Sequence, residues 1–181
     1  MRELILGGQR SGKSARAEAL AAQWLAASPA HRAVFVATAT AWDDEMRERI
    51  ARHQRDRAQR VPGMVTVEEP VQLVQVLRAH AGAQTLVVVD CLTLWLTNLL
   101  MPAAGVAPPA EAADTLAPAI AVHTGPLILV SNEIGLGVIP MGKETRAFVD
   151  ALGRLNQQVA TACDRVTLMA AGLPLTLKDT T

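Results

Sequence analysis

The segment that most constrains the fold of this chain is residues 7–14, Gly-Gly-Gln-Arg-Ser-Gly-Lys-Ser. It fits the phosphate-loop pattern G-x-x-x-x-G-K-[ST], in which glycines let the backbone turn tightly and loop N–H groups point at nucleotide phosphates. In this pattern Lys13 reaches the β- and γ-phosphates, and Ser14 offers a hydroxyl to Mg²⁺. An apolar run at residues 4–6 precedes the loop, and a helical pattern at residues 14–27 follows it. The sequence therefore predicts a strand–loop–helix unit that binds a nucleoside triphosphate.

Composition excludes several classes of protein. The chain has 181 residues, of which half are hydrophobic, and its 17 basic and 17 acidic residues balance. We therefore expect an ordered domain. We expect no nucleic-acid partner, because the balanced overall charge gives no sign of a basic surface and the absence of tyrosine leaves few aromatic side chains on which bases could stack. The two cysteines, Cys91 and Cys163, lack metal-type spacing and are predicted to be buried hydrophobes.

We expect neither a secretory signal nor a membrane span. The phosphate loop begins too early in the sequence to leave room for a signal peptide. The longest apolar stretch, residues 86–101, is short and is interrupted by polar residues such as Asp90. A cytoplasmic protein is the expectation.

Strand and helix patterns alternate along the chain. Apolar and β-branched runs predict strands at residues 4–6, 33–37, 65–67, 85–90, 127–130, 166–170 and 175–177. Helices are predicted at residues 14–27, 43–60, 70–81 and 144–163, with Pro70 in a first helical turn, and the Ala/Pro-rich residues 102–118 predict a surface excursion holding a short helix. The prediction is an α/β fold of the P-loop NTPase (RecA-like) type: a mostly parallel sheet with helices on both faces, in one domain spanning residues 1–181.

Polar residues follow two of the predicted strands, where ligands of such sheets bind. Asp90 ends the run 86–89, and its carboxylate would face Ser14 and help to hold Mg²⁺; the alternative is a helix N-cap. Residues 131–133, Ser-Asn-Glu, end the strand at 127–130. Glu133 would either line an acceptor pocket or begin a turn, and the sequence leaves both readings open.

The charged segment at residues 43–60 carries one unusual histidine. On a helix, Met46, Ile50 and His53 share a face, and Arg49 and Arg57 lie one turn either side of the histidine. Neighbouring cations would keep the imidazole neutral and therefore nucleophilic. From the residues alone, an ordinary histidine on a solvated helix remains the alternative. A basic RNA-binding helix is a further alternative, but the acidic residues 43–45 argue against it.

Taken together, these stretches resemble one known family, the bifunctional adenosylcobinamide kinase / adenosylcobinamide-phosphate guanylyltransferase of cobalamin biosynthesis. The resemblance covers roughly residues 3–178, and its most distinctive parts are Asn-Glu-Ile-Gly-Leu-Gly at 132–137 and Gly-Arg-Leu-Asn-Gln at 153–157. The other matching stretches are residues 7–14, 37–39, 43–46, 49–50 with His53, 66–70, 90–93 and 97–100. Residues 56–64 and 141–145 depart from the family's usual pattern.

The resemblance implies two reactions. Adenosylcobinamide is phosphorylated by ATP or GTP, and GMP is then transferred from GTP to adenosylcobinamide phosphate through a guanylylated histidine, here His53. It implies Mg²⁺ held by Ser14 and Asp90, catalytic roles for His53 and Lys13, and a homo-oligomer, specifically a trimer. The implied nucleotide-binding residues are Gly7, Gly8, Gln9, Arg10, Ser11, Gly12, Lys13, Ser14, Ala37, Thr38, Ala39, Gln54, Arg55, Asp56, Arg57, Glu68 and Asp90. Two alternatives remain at this point: a plain small-metabolite kinase, and a non-enzymatic NTP-dependent binding module.

Overall fold

A computed structural model describes residues 1–40, 44–102, 105–108 and 112–180. In the helix that follows residue 43, the side chains of five residues lie outside this description. They belong to Glu45, Met46, Arg49, Ile50 and His53.

The described strands form one seven-stranded sheet in the order β3-β2-β4-β5-β1-β6-β7. Strands β1 to β6 pair in parallel, and β7 runs antiparallel to β6 at one edge. The strands are β1 (Arg2–Gly7), β2 (Arg32–Ala37), β3 (Val65–Glu68), β4 (Thr85–Asp90), β5 (Leu127–Val130), β6 (Arg165–Ala170) and β7 (Leu173–Asp179). The helices in the described residues are α1 (Lys13–Ala27), α2 (Asp44–Arg60), α3 (Leu73–Ala79), α4 (Leu92–Leu100), α5 (Ala112–Val122) and α6 (Lys143–Ala162).

Helices cover both faces of the sheet, as predicted. Successive residues of a strand face opposite sides, so Ile5 of β1 packs with Ala17 and Ala21 of α1, whereas its neighbours on β1 join the opposite core. That second core is built against the sheet by α3, α4, α5 and α6, through residues such as Trp95 and Leu152. The mostly parallel α/β architecture is therefore confirmed.

The first turn predicted at Pro70 is wrong. Helix α3 begins at Leu73 and ends at Ala79, inside the predicted range of 70–81. A carboxylate oxygen of Glu69 accepts hydrogen bonds from the backbone N–H groups of Val71 (2.9 Å) and Gln72 (2.8 Å). These contacts stabilise a bend before the helix, so the helix begins after Gln72.

The short helix predicted within residues 102–118 is present as α5, but the surface position predicted for it is wrong in the part that the structure describes from Ala112 onward. Helix α5 extends to Val122 and buries Leu116 and Ile120 completely against the core. Burial of this apolar face outweighs the weak local pattern and accommodates Pro118 within the helix. Within the described residues, the structure contains no helix whose length and hydropathy would allow it to cross a membrane.

Candidate functional site

The phosphate loop connects β1 to α1 through positions that only glycine fits. Gly7 has φ of 152°, and a Cβ there would stand 2.5 Å from the carbonyl oxygen of Met169 and 2.6 Å from Oγ of Ser11. Gly12 has φ of 101°, and its Cβ would lie 3.2 Å from Cα of Gly172. The loop is thus packed tightly between β1 and the turn that joins β6 to β7.

Two polar groups inside the loop are suited to an anion. The ammonium of Lys13 folds back to donate a 2.7 Å hydrogen bond to the carbonyl oxygen of Gly8, and burial of the side chain lowers the pKa of Lys13. The buried hydroxyl of Ser11 has no hydrogen-bond partner among the described residues. A phosphate oxygen would satisfy both groups, because buried polar atoms are normally paired.

Ser14 and Asp90 meet at the carboxyl edge of the sheet. The Ser14 hydroxyl donates a 2.7 Å hydrogen bond to a carboxylate oxygen of Asp90, so the predicted proximity of the two residues is confirmed. The N-cap of α4 is Cys91, which makes the alternative reading of Asp90 as the capping residue wrong. Its role as a metal ligand stays a prediction.

The donor set fits Mg²⁺ better than a transition metal. A hydroxyl and a carboxylate are hard oxygen donors, and Mg²⁺ takes one or two carboxylates together with water and substrate phosphates. Within the described residues, no cluster of three or more His, Cys, Asp or Glu side chains could hold a metal ion by itself. Ser14 and Asp90 would therefore hold Mg²⁺ jointly with a nucleotide.

Thr38 joins the ends of β2 and β4 below this edge. Its buried hydroxyl donates to the Cys91 carbonyl oxygen at 2.7 Å and accepts from the Cys91 N–H at 2.8 Å. The Asn98 side chain donates to the Thr38 carbonyl oxygen at 2.8 Å. These contacts fix the backbone of residues 37–39 close to Asp90, and the nucleotide contacts expected there stay predictions.

Helix α2 is attached to the edge of the sheet near the predicted histidine. His53 lies on α2, and its side chain is outside the described residues, so the face that it shares with Met46 and Ile50 stays a prediction. The next residue, Gln54, donates a 2.8 Å hydrogen bond to Glu68, the last residue of β3. Arg55 is exposed, and Asp56 forms an ion pair with Arg60 at 3.6 Å. The structure thus brings together two of the predicted nucleotide-binding residues, Gln54 and Glu68.

Arg57 occupies a different environment from a solvated phosphate-binding arginine. The guanidinium carbon lies 3.6 Å from the ring centroid of Phe35, and one nitrogen donates to the Thr66 hydroxyl at 3.3 Å. Burial lowers the pKa of Arg57, while the carboxylates of Glu18 and Asp90 act in the opposite direction. Arg57 therefore anchors α2 on the sheet, and a phosphate contact by it stays a prediction.

The segment after β5 lies against the phosphate loop. The Glu133 N–H donates a 3.1 Å hydrogen bond to the Gly7 carbonyl oxygen, and a Glu133 carboxylate oxygen accepts from the Gly135 N–H at 2.8 Å. Glu133 thus begins a turn beside the phosphate loop, and its place in an acceptor pocket stays a prediction.

Comparison with known proteins agrees with this geometry. A family model described as cobinamide kinase / cobinamide phosphate guanyltransferase, the CobU family, matches residues 3–177. The chain belongs to the CobU family. The chain is 49% identical over 179 residues to the bifunctional adenosylcobalamin biosynthesis protein CobP of Pseudomonas aeruginosa, covering 98% of each chain. It is 32% identical over 187 residues to the bifunctional adenosylcobalamin biosynthesis protein CobU of Escherichia coli, covering 97% of this chain and 98% of that protein. The CobU protein of Salmonella typhimurium is also 32% identical, over 188 residues.

CobU-family membership confirms the resemblance inferred from the motifs and places this chain among bifunctional enzymes. Two residues of the matched range make hydrogen bonds beside the site that the sequence did not predict. The Thr93 hydroxyl accepts from the Asn132 N–H at 2.9 Å, and the Asn156 side chain donates to the Asn132 carbonyl oxygen at 3.1 Å. Both lie in stretches that carried the resemblance, which was the available signal for them.

Proposed function

We propose that this chain phosphorylates adenosylcobinamide with ATP or GTP and then transfers GMP from GTP to adenosylcobinamide phosphate, giving adenosylcobinamide-GDP. The observation that carries the proposal is the Ser14–Asp90 pair beside Lys13 on the phosphate loop of a CobU-family chain. Hard oxygen donors and an ammonium at one edge of a sheet suit transfer of a phosphoryl or nucleotidyl group.

In the first reaction the acceptor hydroxyl attacks the γ-phosphorus of the triphosphate. The bond from the γ-phosphorus to the β–γ bridging oxygen breaks, the hydroxyl proton passes to solvent, and a phosphate ester and a nucleoside diphosphate result. Lys13 and the loop N–H groups would hold the β- and γ-phosphates, and Ser14 and Asp90 would hold Mg²⁺. When bound, Mg²⁺ neutralises charge on the phosphate oxygens.

In the second reaction we propose that His53 is the nucleophile. Its neutral imidazole attacks the α-phosphorus of GTP, a nitrogen–phosphorus bond forms, and pyrophosphate leaves towards Lys13 and the loop. A phosphate oxygen of the acceptor then attacks the same phosphorus and releases the imidazole. Support comes from Gln54, the next residue on α2, whose side chain bonds Glu68 at the carboxyl end of β3.

The decisive experiment for His53 uses GTP labelled on the α-phosphate. We expect wild-type protein to retain acid-labile label, His53→Ala to lose it while still phosphorylating adenosylcobinamide, and the matched control His80→Ala to behave as wild type. Label on the His53→Ala variant would overturn the histidine assignment. A wild-type protein that phosphorylates the acceptor but takes up no label would be a plain kinase instead.

We also propose that the enzyme assembles as the homotrimer that its resemblance implies. Sedimentation of the purified full-length protein tests this: three chain masses are expected from a 19.2 kDa chain, and a monomer would refute it.

A further inference from the structure

A groove of about 470 Å³ runs between the loop after β5 and one side of α6. Its volume is typical of small-molecule sites. The loop side contributes Ile134, Val138 and Ile139, and the helix side contributes Arg146, Arg154 and Gln157. None of these residues belongs to the phosphate-binding machinery described above.

The groove begins directly beside the phosphate loop. The Glu133 N–H donates to the carbonyl oxygen of Gly7, and the first lining residue, Ile134, follows immediately. Strand β5, which leads into the groove, pairs with β1, which leads into the phosphate loop. A molecule seated in the groove therefore extends towards the transferred phosphoryl group.

The loop side of the groove is apolar and exposed to an unusual degree. Val138 is 97% exposed and Ile139 is 77% exposed, with Met141 beside them at 94%. Clustered apolar side chains of this kind mark binding surfaces, because leaving them in water costs free energy. The groove thus suits a ligand with a large apolar face.

The helix side is positively charged. One acid, Asp150, stands against two arginines among the described lining residues. Arg146 donates to the carbonyl oxygens of Pro140 and Met141 and so braces the end of the loop. Arg154 is exposed and has no hydrogen-bond or ion-pair partner within the described part of the chain, which leaves its guanidinium available for an anion.

We infer that this groove is the acceptor site: the apolar loop side receives the ring of the corrinoid, and Arg154 binds the phosphate that the ring's arm carries after the first reaction. This inference rests on the proposed function and names the residues that the acceptor contacts. The complementarity is twofold, since an amphipathic ring meets the apolar loop and a phosphate dianion meets an unpaired arginine.

Equilibrium dialysis of the coloured corrinoids against full-length protein tests the inference, with adenosylcobinamide and its phosphate as separate probes. Val138→Asp should weaken binding of both probes about tenfold, and the matched control Val122→Asp, on the exposed end of α5, should not. Arg154→Ala should weaken the phosphate form about tenfold and the unphosphorylated form less than about threefold, with partial recovery in Arg154→Lys. Arg78→Ala, which removes another exposed arginine, should leave both affinities unchanged.

Wild-type affinity in both Val138→Asp and Arg154→Ala would overturn the inference, as would equal weakening of both probes by Arg154→Ala. A change in sedimentation of Val138→Asp would also overturn it, because the groove would then be an interface between copies. Label uptake from α-labelled GTP should be unchanged in every variant. If wild-type protein binds neither probe, the proposed function itself fails. If wild-type protein binds both probes and the variants bind them equally well, only the assignment of the groove as the acceptor site fails.

Discussion

The hydroxyl of Ser14 donates a 2.7 Å hydrogen bond to the carboxylate of Asp90, across 76 residues of sequence. Ser14 lies in the first turn of α1, and Asp90 is the last residue of β4. The hydrogen bond brings the phosphate loop after β1 and the end of β4 into one site, although β5 lies between these two strands. Both side chains carry hard oxygen atoms of the kind that Mg²⁺ prefers.

Removing the Asp90 charge should abolish most of the kinase activity. We expect Asp90→Asn to lower kcat at least about 100-fold, because the amide is a poor Mg²⁺ ligand and several kcal/mol of charge stabilisation are lost. Asp90→Glu should retain part of the activity. Steady-state kinetics at saturating Mg²⁺ measure this, with Asp114→Asn, on the exposed face of α5, as the matched control. Activity of Asp90→Asn within a few-fold of wild type would refute the metal role.

Neighbouring glycines of the loop should respond differently to alanine. Gly7→Ala places a Cβ 2.5 Å from the Met169 carbonyl oxygen, whereas nothing lies within 4 Å of a Cβ at Gly8. We expect Gly7→Ala to lower the free energy of unfolding by about 1–3 kcal/mol and to weaken nucleotide binding, and Gly8→Ala to lose much less stability. Denaturant unfolding and nucleotide titration measure the two effects. Equal stability of the two variants would contradict the tight packing of the loop.

The ion pair between Arg2 and Asp164 should make stability depend on acid pH. Hydrogen bonds from the Arg2 side chain and backbone hold the pKa of Asp164 below its ordinary value of about 3.9. A carboxyl whose pKa is lower in the folded state adds stability above its unfolded pKa, and this is lost as pH falls through the folded pKa. We expect Asp164→Asn to lower the free energy of unfolding by about 1 kcal/mol at pH 7, and this difference from wild type to shrink below about pH 4.

Urea unfolding from pH 7 down to pH 2 measures this dependence, with Asp150→Asn as a control on the exposed side of α6. If the difference in the free energy of unfolding between wild type and Asp164→Asn stays constant over that range, the pair does not act through its charge.

Both cysteines should be unreactive in the native protein. Burial raises the pKa of Cys91 and of Cys163 to about 12, so at pH 8 only about one thiol in ten thousand is a thiolate. A disulfide reagent at pH 8 should therefore titrate no thiol rapidly in native protein and two after unfolding in guanidinium, since the chain has two cysteines. Rapid release of one equivalent from native protein would contradict this burial.

Local patterns predicted the parts of the fold that short-range sequence determines. The β-branched run ending in Asp90 and the loop glycines were sufficient to predict β4, the phosphate loop and their meeting at one edge. The burial of α5 and its extension to Val122 were missed because Leu116 and Ile120 pack against distant helices, which no local pattern reveals. The start of α3 depended on where the Glu69 side chain points.

The candidate site likewise has residues that local sequence predicted and residues whose contacts depend on distant segments. Lys13 and Ser14 follow from a motif with a known mechanism, whereas the contacts of Thr93 and Asn156 with Asn132 join three separate segments. The helical spacing and the flanking arginines made a nucleophilic His53 one of two readings, and the family resemblance favoured that reading, which stays a prediction.

The most direct measurement of the central claim is mass spectrometry of the products after incubating the purified protein with GTP, Mg²⁺ and adenosylcobinamide. We expect adenosylcobinamide phosphate to appear first and adenosylcobinamide-GDP to accumulate after it, with release of pyrophosphate. A reaction that yields neither corrinoid product would contradict the account, and one that stops at adenosylcobinamide phosphate would contradict its second half.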